Sequence, residues 1–598
     1  MSSRMTTAGA AILIAALAAP GCAGVAGGDK GPPADGGAAP DAGVDGGSTP
    51  QCQTDGDCAH GQRCRAGRCV AAAVDGGMAD AGPPEDEHFQ FQPPVASENY
   101  VFVVNTSSGT VAKIDPGGLE HIEVDSIDVC HRPTELIAIP GSDSAVVLCE
   151  GSRSVALLLA GRDRDRVFEA PVGQAYNALA LSTGGRFAIA YFDQDQAVAG
   201  PDSAGNKIAV VDLRPAFDDS GPPRVHEYAV GYRVTDLLFD QVAGPQGSRA
   251  TRALVVSKSE VAVLPLEQLE TTWILERVWL GHPAAEVVEA REVLATPDAR
   301  LVLVRSFQTP ELTVVDVAAG TSAQLPLHGL ATDIDLAPDG RRALVVERNA
   351  GVVARVDLAA DLGHTVEIDG TRYFDPDADG SPEPDDFTTL EALDASGRPL
   401  AVGQAELFVT AADRLAGLLY TNVARREEIS ILDVERMEIE YLGRLLNKLV
   451  DYAVLGPGGR VALIVHRPEP GSDAADPSER EIDALHGYTL IDLPTRATFQ
   501  QVTEAPIGPL AFSPTGRHAF LTVYDAALDI NELHVIDLQR LTLQLDAVPL
   551  AAAPISVGVL PGGRIGYVSQ EHAYGKITFV DMESMTERAV TGFELNAR

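Results

Sequence analysis

Four carboxylates stand at a spacing that suits a hard cation. In Asp375-Pro376-Asp377-Ala378-Asp379-Gly380 an acid falls on every second position ahead of a glycine, and Asp386 holds the twelfth position of the same run. Ca2+ takes about six to eight oxygen ligands, and a glycine at the sixth position makes the sharp turn that brings alternate carboxylates onto one ion. Asp375, Asp377, Asp379 and Asp386 are therefore the expected Ca2+ ligands, and Ca2+ is the one cofactor indicated. The run departs from an EF-hand-like loop in three respects: an Asp closes it in place of a bidentate Glu, Pro382 stands where an apolar residue is usual, and no amphipathic helix pattern flanks it. A solvated, Pro-rich acidic loop is the competing reading.

The other residues with chemistry in them are cysteines. Cys52, Cys58, Cys64 and Cys69 fall within the run CQTDGDCAHGQRCRAGRC. In an exported chain such a cluster reads as two disulfides stapling a small loop-rich unit, with three connectivities open; a zinc site is disfavoured by the absence of CxxC pairs. Cys130 and Cys149 are expected to pair with each other, two buried thiols being the alternative. Cys22 ends a segment in which Arg4 precedes an apolar run at 8–19 and the small residues Ala19-Pro20-Gly21. That order is a secretory signal, and its apolar run is too short to span a bilayer. Ala19-Pro20-Gly21-Cys22 resembles a bacterial lipobox, which implies cleavage before Cys22 and a diacylglycerol on its sulfur. Ala23 after the cysteine then favours the outer membrane; plain secretion is the alternative.

A net charge of −40 with no basic window argues against nucleic acid and leaves cations or basic partners as counterparts, with the membrane reached only through the lipid. Composition divides the chain into a signal peptide (1–22), a Gly/Ala/Pro/Asp linker (23–51) that cannot bury a core, the cysteine module (52–70), a second linker (71–97), and a large domain (98–598) with an insertion at about 361–405.

Elements that could position these residues emerge from a repeat. One pattern recurs after Tyr100: an apolar strand, a turn such as Ala337-Pro338-Asp339-Gly340-Arg341 or Ser513-Pro514-Thr515-Gly516-Arg517, a second apolar strand, a loop, and a third strand closing on Asp. The closing acids are Asp115, Asp212, Asp316, Asp357, Asp433, Asp492, Asp537 and Asp581, and degenerate copies near Leu159 and Pro265 fill the wide gaps. About ten units of about 52 residues each, with room for a fourth strand in each, predict an all-β propeller of four-stranded blades, in one ring or two. Either Phe89-Gln90-Phe91 or a strand near the C-terminus is expected to complete the first blade by pairing distant chain ends.

Tyr100-Val101-Phe102-Val103-Val104-Asn105 followed by Val111-Ala112-Lys113-Ile114-Asp115, and Leu419-Tyr420-Thr421-Asn422 followed by Ile429-Ser430-Ile431-Leu432-Asp433, resemble the YVTN-type bacterial β-propeller repeat. The resemblance implies the fold strongly and function weakly, because such propellers include surface proteins, binding scaffolds and some enzymes.

Loops between second and third strands are enlarged at Asp193, His466 and Asp525, and are acidic, with Asp193, Asp195, Asp202, Glu469, Asp473, Asp476, Glu479, Glu481, Asp483, Asp525 and Asp529. In a propeller these loops share one face, so an acidic face binding a protein, a glycan or a cation is expected. The sequence lacks HExxH, GxSxG, a Walker loop and GxGxxG after a strand, and its 13 histidines show no ligand spacing. The leading expectation is thus a non-catalytic, lipid-anchored binding or scaffold protein of the cell envelope. The alternatives are a lactonase-like hydrolase using His466, His486 and Glu571 at the channel mouth, and a purely structural envelope protein.

Overall fold

The computed structural model describes residues 62–65, 68–71 and most of 89–594; the larger segments outside the description are 197–204, 281–291, 392–401, 421–428 and 442–447. Two units are distinguished, the smaller being 13–88. Within it Gln62–Arg65 pairs antiparallel with Arg68–Ala71, and the register sets Cys64 opposite Cys69. Cys22, Cys52 and Cys58 lie outside the described residues.

The large unit is one ring of ten four-stranded antiparallel blades. In order they occupy 95–128, 133–171, 178–229, 234–279, 292–326, 333–391, 404–441, 449–503, 507–549 and 554–591, here blades 1 to 10. The stretches near Leu159 and Pro265 are the third strands of two regular blades, Ser154–Leu159 and Glu260–Pro265. A single ring follows from the packing. Ten apolar clusters each join two successive blades, the last joining blade 10 to blade 1.

The strands are apolar along their whole length because both faces of every blade are covered. A strand's side chains alternate between faces. In blade 3, Ala188 and Ala190 pack toward blade 2 while Phe187 and Ile189 pack toward blade 4. The recurring turn and the closing Asp are parts of one device. Gly340 and Gly516 take φ of 65° and 64°, a left-handed turn that glycine adopts without a steric penalty. The arginine after the turn reaches the acid closing the third strand, Arg460 to Asp492 at 3.0 Å and Arg564 to Asp581 at 2.7 Å. The same acid ends its strand, as Asp581 does by accepting from the backbone N–H groups of Glu583 and Ser584 at 2.9 and 3.1 Å.

Of the two segments expected to complete blade 1, the N-terminal one does pair with it, Phe91 bridging antiparallel to Asn105, but the ring does not close by pairing distant chain ends. Val95–Ala96 is the innermost strand of blade 1 and Thr586–Thr591 the outermost of blade 10, so no blade mixes the two ends. Side chains fasten the seam. Phe91 meets Phe593 edge to face at 5.2 Å, and Glu594 accepts from Ser126 Oγ at 2.7 Å, Asn105 Nδ2 at 3.1 Å, Ser108 Oγ at 3.3 Å and Thr110 Oγ1. The fourth strand of blade 9 is two short pieces, Thr542–Leu543 and Val548–Pro549. Cys130 and Cys149 form the expected disulfide, with Cα atoms 6.0 Å apart.

Candidate functional site: an acid-lined channel mouth

The first strand of each blade is its innermost, and successive first strands adjoin around the channel. Seven of their residues are carboxylates: Asp451 of blade 8, which is exposed, and six that are half-buried, Glu135 of blade 2, Asp236 of blade 4, Glu292 of blade 5, Asp333 and Asp335 of blade 6, and Glu406 of blade 7. Alternation sets them off from the core: Ile334 belongs to the apolar cluster between blades 5 and 6, while Asp333 and Asp335 take the opposite side of the same strand. Backbone bulges fall between Pro133 and Glu135 and between Val234 and Asp236, a distortion that re-aims a side chain.

These acids reach forward to the next blade. Asp333 Oδ2 accepts from Ala405 N at 2.7 Å, Asp335 accepts from Leu407 N, and Glu292 Oε2 accepts from Ile334 N at 3.3 Å. Glu135 likewise accepts from the Leu179 backbone of blade 3. Each bond satisfies an N–H on the free edge of an innermost strand, where no further strand can.

Register fixes which end of the channel they occupy. Glu135 lies opposite Leu148, Asp236 opposite Val256, Glu292 opposite Arg305, Asp333 opposite Val346 and Glu406 opposite Leu418. All these partners are within two residues of the end of a second strand, so the acids gather at the face where the second-to-third-strand loops emerge. The innermost strands of blades 9, 10 and 1, Ile507–Phe512, Pro554–Val559 and Val95–Ala96, carry no charge. The acidity is thus an arc over one side of the mouth.

Within the arc the carboxyls hold one another's protons. Burial, with the charges of Glu292, Asp335 and Glu406, raises Asp333 to about 8 against the bond from Ala405. Burial, with Asp335 and Glu292, raises Glu406 to about 7. Burial raises Glu135 to about 7, with Asp193 adding to it, and Asp335 to about 6, with Glu292 adding. Asp236 is pushed up by burial, Asp193 and Glu292. Arg305 Nε answers Glu292 at 2.7 Å. Tyr191 borders the arc on blade 3, its hydroxyl pushed up to about 12 by burial and by Asp193, Glu135 and Asp236.

The loop acids of the sequence reading prove to be partly structural. Asp476 caps the helix Pro477–Asp483 by accepting from Ser478 N at 2.9 Å, and Asp525 accepts from Ala527 N at 2.7 Å. Asp195, Asp202 and Asp473 lie outside the described residues. Of the loop acids, Asp193 is the one the structure brings to the arc. The arc itself escaped the sequence reading, although it left a trace: an acid interrupts the apolar innermost run of several blades, as in Thr134-Glu135-Leu136, Thr235-Asp236-Leu237 and Ala405-Glu406-Leu407.

The three residues named for a hydrolase do not converge. His466 is buried inside blade 8 with Nδ1 3.2 Å from Leu449 O and Nε2 2.8 Å from Thr489 Oγ1, and burial lowers it to about 4. His486 begins the next strand of that blade, and Glu571 is exposed on blade 10. Of the four expected Ca2+ ligands, Asp375, Asp377 and Asp386 place carboxylate oxygens within 4.8 Å of one another. Asp379 falls outside that group, because its Oδ1 turns back to accept from Ser381 N at 2.7 Å.

No family model matches the chain, and no curated protein matches it. Solved structures similar to it include dihydro-heme d1 dehydrogenase NirN in complex with DHE, at 16% identity and a TM-score of 0.37 over 68% of this chain and 72% of that one. Kuenenia stuttgartiensis hydrazine synthase is 14% identical, with a TM-score of 0.30 over 61% and 99% of the two chains. Apo AztD from Citrobacter koseri is 11% identical, with a TM-score of 0.29 over 58% and 84%. Likenesses at this level carry no function to this chain.

Proposed function

We propose that the protein is an exported, non-catalytic binding propeller, tethered through Cys22, that takes a small cationic ligand at the acid arc. The observation behind this reading is the row of half-buried carboxylates on the innermost strands, Glu135, Asp236, Glu292, Asp333, Asp335 and Glu406, where burial, reinforced by neighbouring acids, raises Asp333 to about 8 and Glu135 and Glu406 to about 7. A cation entering the mouth favours the ionised carboxylates, displaces their protons and relieves their mutual repulsion. The bonds to neighbouring blades use one or two of the roughly four acceptor positions of a carboxylate, so the same groups can fasten the ring and face a ligand. The signal-like N-terminus and the resemblance to YVTN-type repeats support placement at the cell envelope.

Calorimetry with spermidine as the cationic probe, at about pH 7.5 in two buffers of different protonation enthalpy, tests the reading. Saturable binding with proton release is expected, and the Asp333→Asn/Glu406→Gln double variant should lose both. Binding that survives in the double variant, or its absence at low salt, would refute the assignment.

A further inference from the structure

We propose that the 375–386 loop is a Ca2+ site that welds blade 5 to blade 6. The inference is independent of the channel and rests on different residues.

The chain crosses a seam at this loop. The hairpin formed by Thr365–Ile368 and Thr371–Phe374 extends the outer edge of blade 5, its second strand running parallel to Thr321–Pro326 with Gln324 opposite Tyr373. After the loop, Thr388–Glu391 becomes the outermost strand of blade 6, paired with Val352–Asp357. Whatever fixes the loop therefore fixes both blades. The protein already uses one contact there: His328, in the connection between the two blades, lies with Nε2 2.9 Å from Asp385 Oδ1.

Asp375 is the residue that points to an ion. It is 4% exposed, its Oδ2 accepts from Gly380 N at 3.0 Å, and its Oδ1 has no hydrogen-bond partner among the described residues. A buried carboxylate oxygen without a donor is costly unless a cation answers it. Oxygens of Asp377 and Asp386 lie within 4.8 Å, a separation that two ligands of one Ca2+ can span at about 2.4 Å each. Gly380 turns the chain at φ 88°, which aims its N–H back at Asp375 and leaves the other oxygen for the ion. All the donors are oxygens, with no sulfur or imidazole in the group, which favours Ca2+ over zinc. An irregular set of carboxylates from one loop favours it over Mg2+, which demands near-octahedral order. Asp377 Oδ1 and Asp386 Oδ2 also accept from the backbone N–H groups of Asp379 and Glu383, at 3.2 and 2.8 Å, so local bonds hold both carboxylates while leaving each a second oxygen; Asp379 lies outside the group.

The test is Ca2+ titration of the purified full chain by calorimetry and thermal unfolding, with Mg2+ in parallel. One Ca2+ should bind with a dissociation constant of about 0.1 to 1 mM, the range of exported modules, and raise the melting temperature, with Mg2+ far weaker. Asp377→Asn, at an exposed position, should weaken binding by about tenfold or more without altering the apo melting temperature, and Asp375→Asn should abolish it. The channel variant Asp333→Asn/Glu406→Gln should keep the full Ca2+ response. Failure to bind at millimolar Ca2+, or a response unchanged in both loop variants, overturns the proposal. A response lost in the channel variant also overturns it, by moving the ion to the arc.

Discussion

Arg305 Nε lies 2.7 Å from Glu292 Oε2, and the same guanidinium donates from Nη1 to Ala331 O at 3.2 Å on the way to blade 6. A fixed cation thus occupies one position of the acid arc and ties two blades together. Arg305→Met should cost about 3 kcal/mol in urea unfolding, because it leaves Glu292 half-buried without its counter-charge. The same change should tighten spermidine binding, since it frees an anion for the ligand. Weakened binding in a folded variant would show that Arg305 shapes the site and does not compete for it.

Stability should fall as pH rises from about 6 to about 8.5. Asp333, Glu406 and Glu135 are raised to about 8, 7 and 7, well above the values they take in an unfolded chain. The native state therefore holds protons that unfolding releases, so its stabilisation is complete below the unfolded pKa and lost as pH passes through the folded one. His466, lowered to about 4, acts in the opposite sense only in more acidic solution, where its contribution disappears as pH falls through that value. Melting temperatures across this range, compared with Asp333→Asn, check the claim; the variant should show a flatter profile.

The seam between blades 10 and 1 should be the ring's point of vulnerability, since side chains and no shared blade close it. Burial pushes the Glu594 carboxyl up, but the bonds from Thr110, Ser126, Asn105 and Ser108 leave it below its ordinary value. Glu594→Ala should cost about 2 kcal/mol by leaving those donors unanswered, and Phe593→Ala about 3 to 4 kcal/mol through its cavity. Hydrogen exchange should then rise first in blades 1 and 10. Uniform acceleration around the ring would show that closure is no weaker there than at any other seam.

Removing the disulfide with Cys130→Ala/Cys149→Ala should cost about 3 kcal/mol, the amount expected for a loop closed over a separation of 19 residues. Reductant should lower the melting temperature of the unmodified protein by a matching amount and leave the variant unmoved. A larger loss in the variant would assign the excess to packing of the buried Cys149 side chain.

Much of the fold was legible because it is local. Runs such as Phe187-Ala188-Ile189-Ala190 are apolar at every position, which only a strand covered on both faces requires, and the turn glycine, its arginine and the closing Asp recur often enough to count blades. The Asp375–Asp386 spacing was legible for the same reason, since its geometry is set within twelve residues. Of the four acids in that spacing, the fold brings Asp375, Asp377 and Asp386 within 4.8 Å of one another.

The sequence by itself determined the strands, the turns and a repeat of about ten units, all of which follow from alternation and spacing along the chain. Only the tertiary structure decided that the ring is single, that Phe593 and Glu594 close it, and that Glu292, Asp333, Asp335 and Glu406, from three blades, act on one another. An acid in an apolar strand looks alike whether it faces bulk water or other acids. Its field depends on what closure of the ring sets around it, and residues hundreds of positions apart meet at the channel mouth only once every blade is in place.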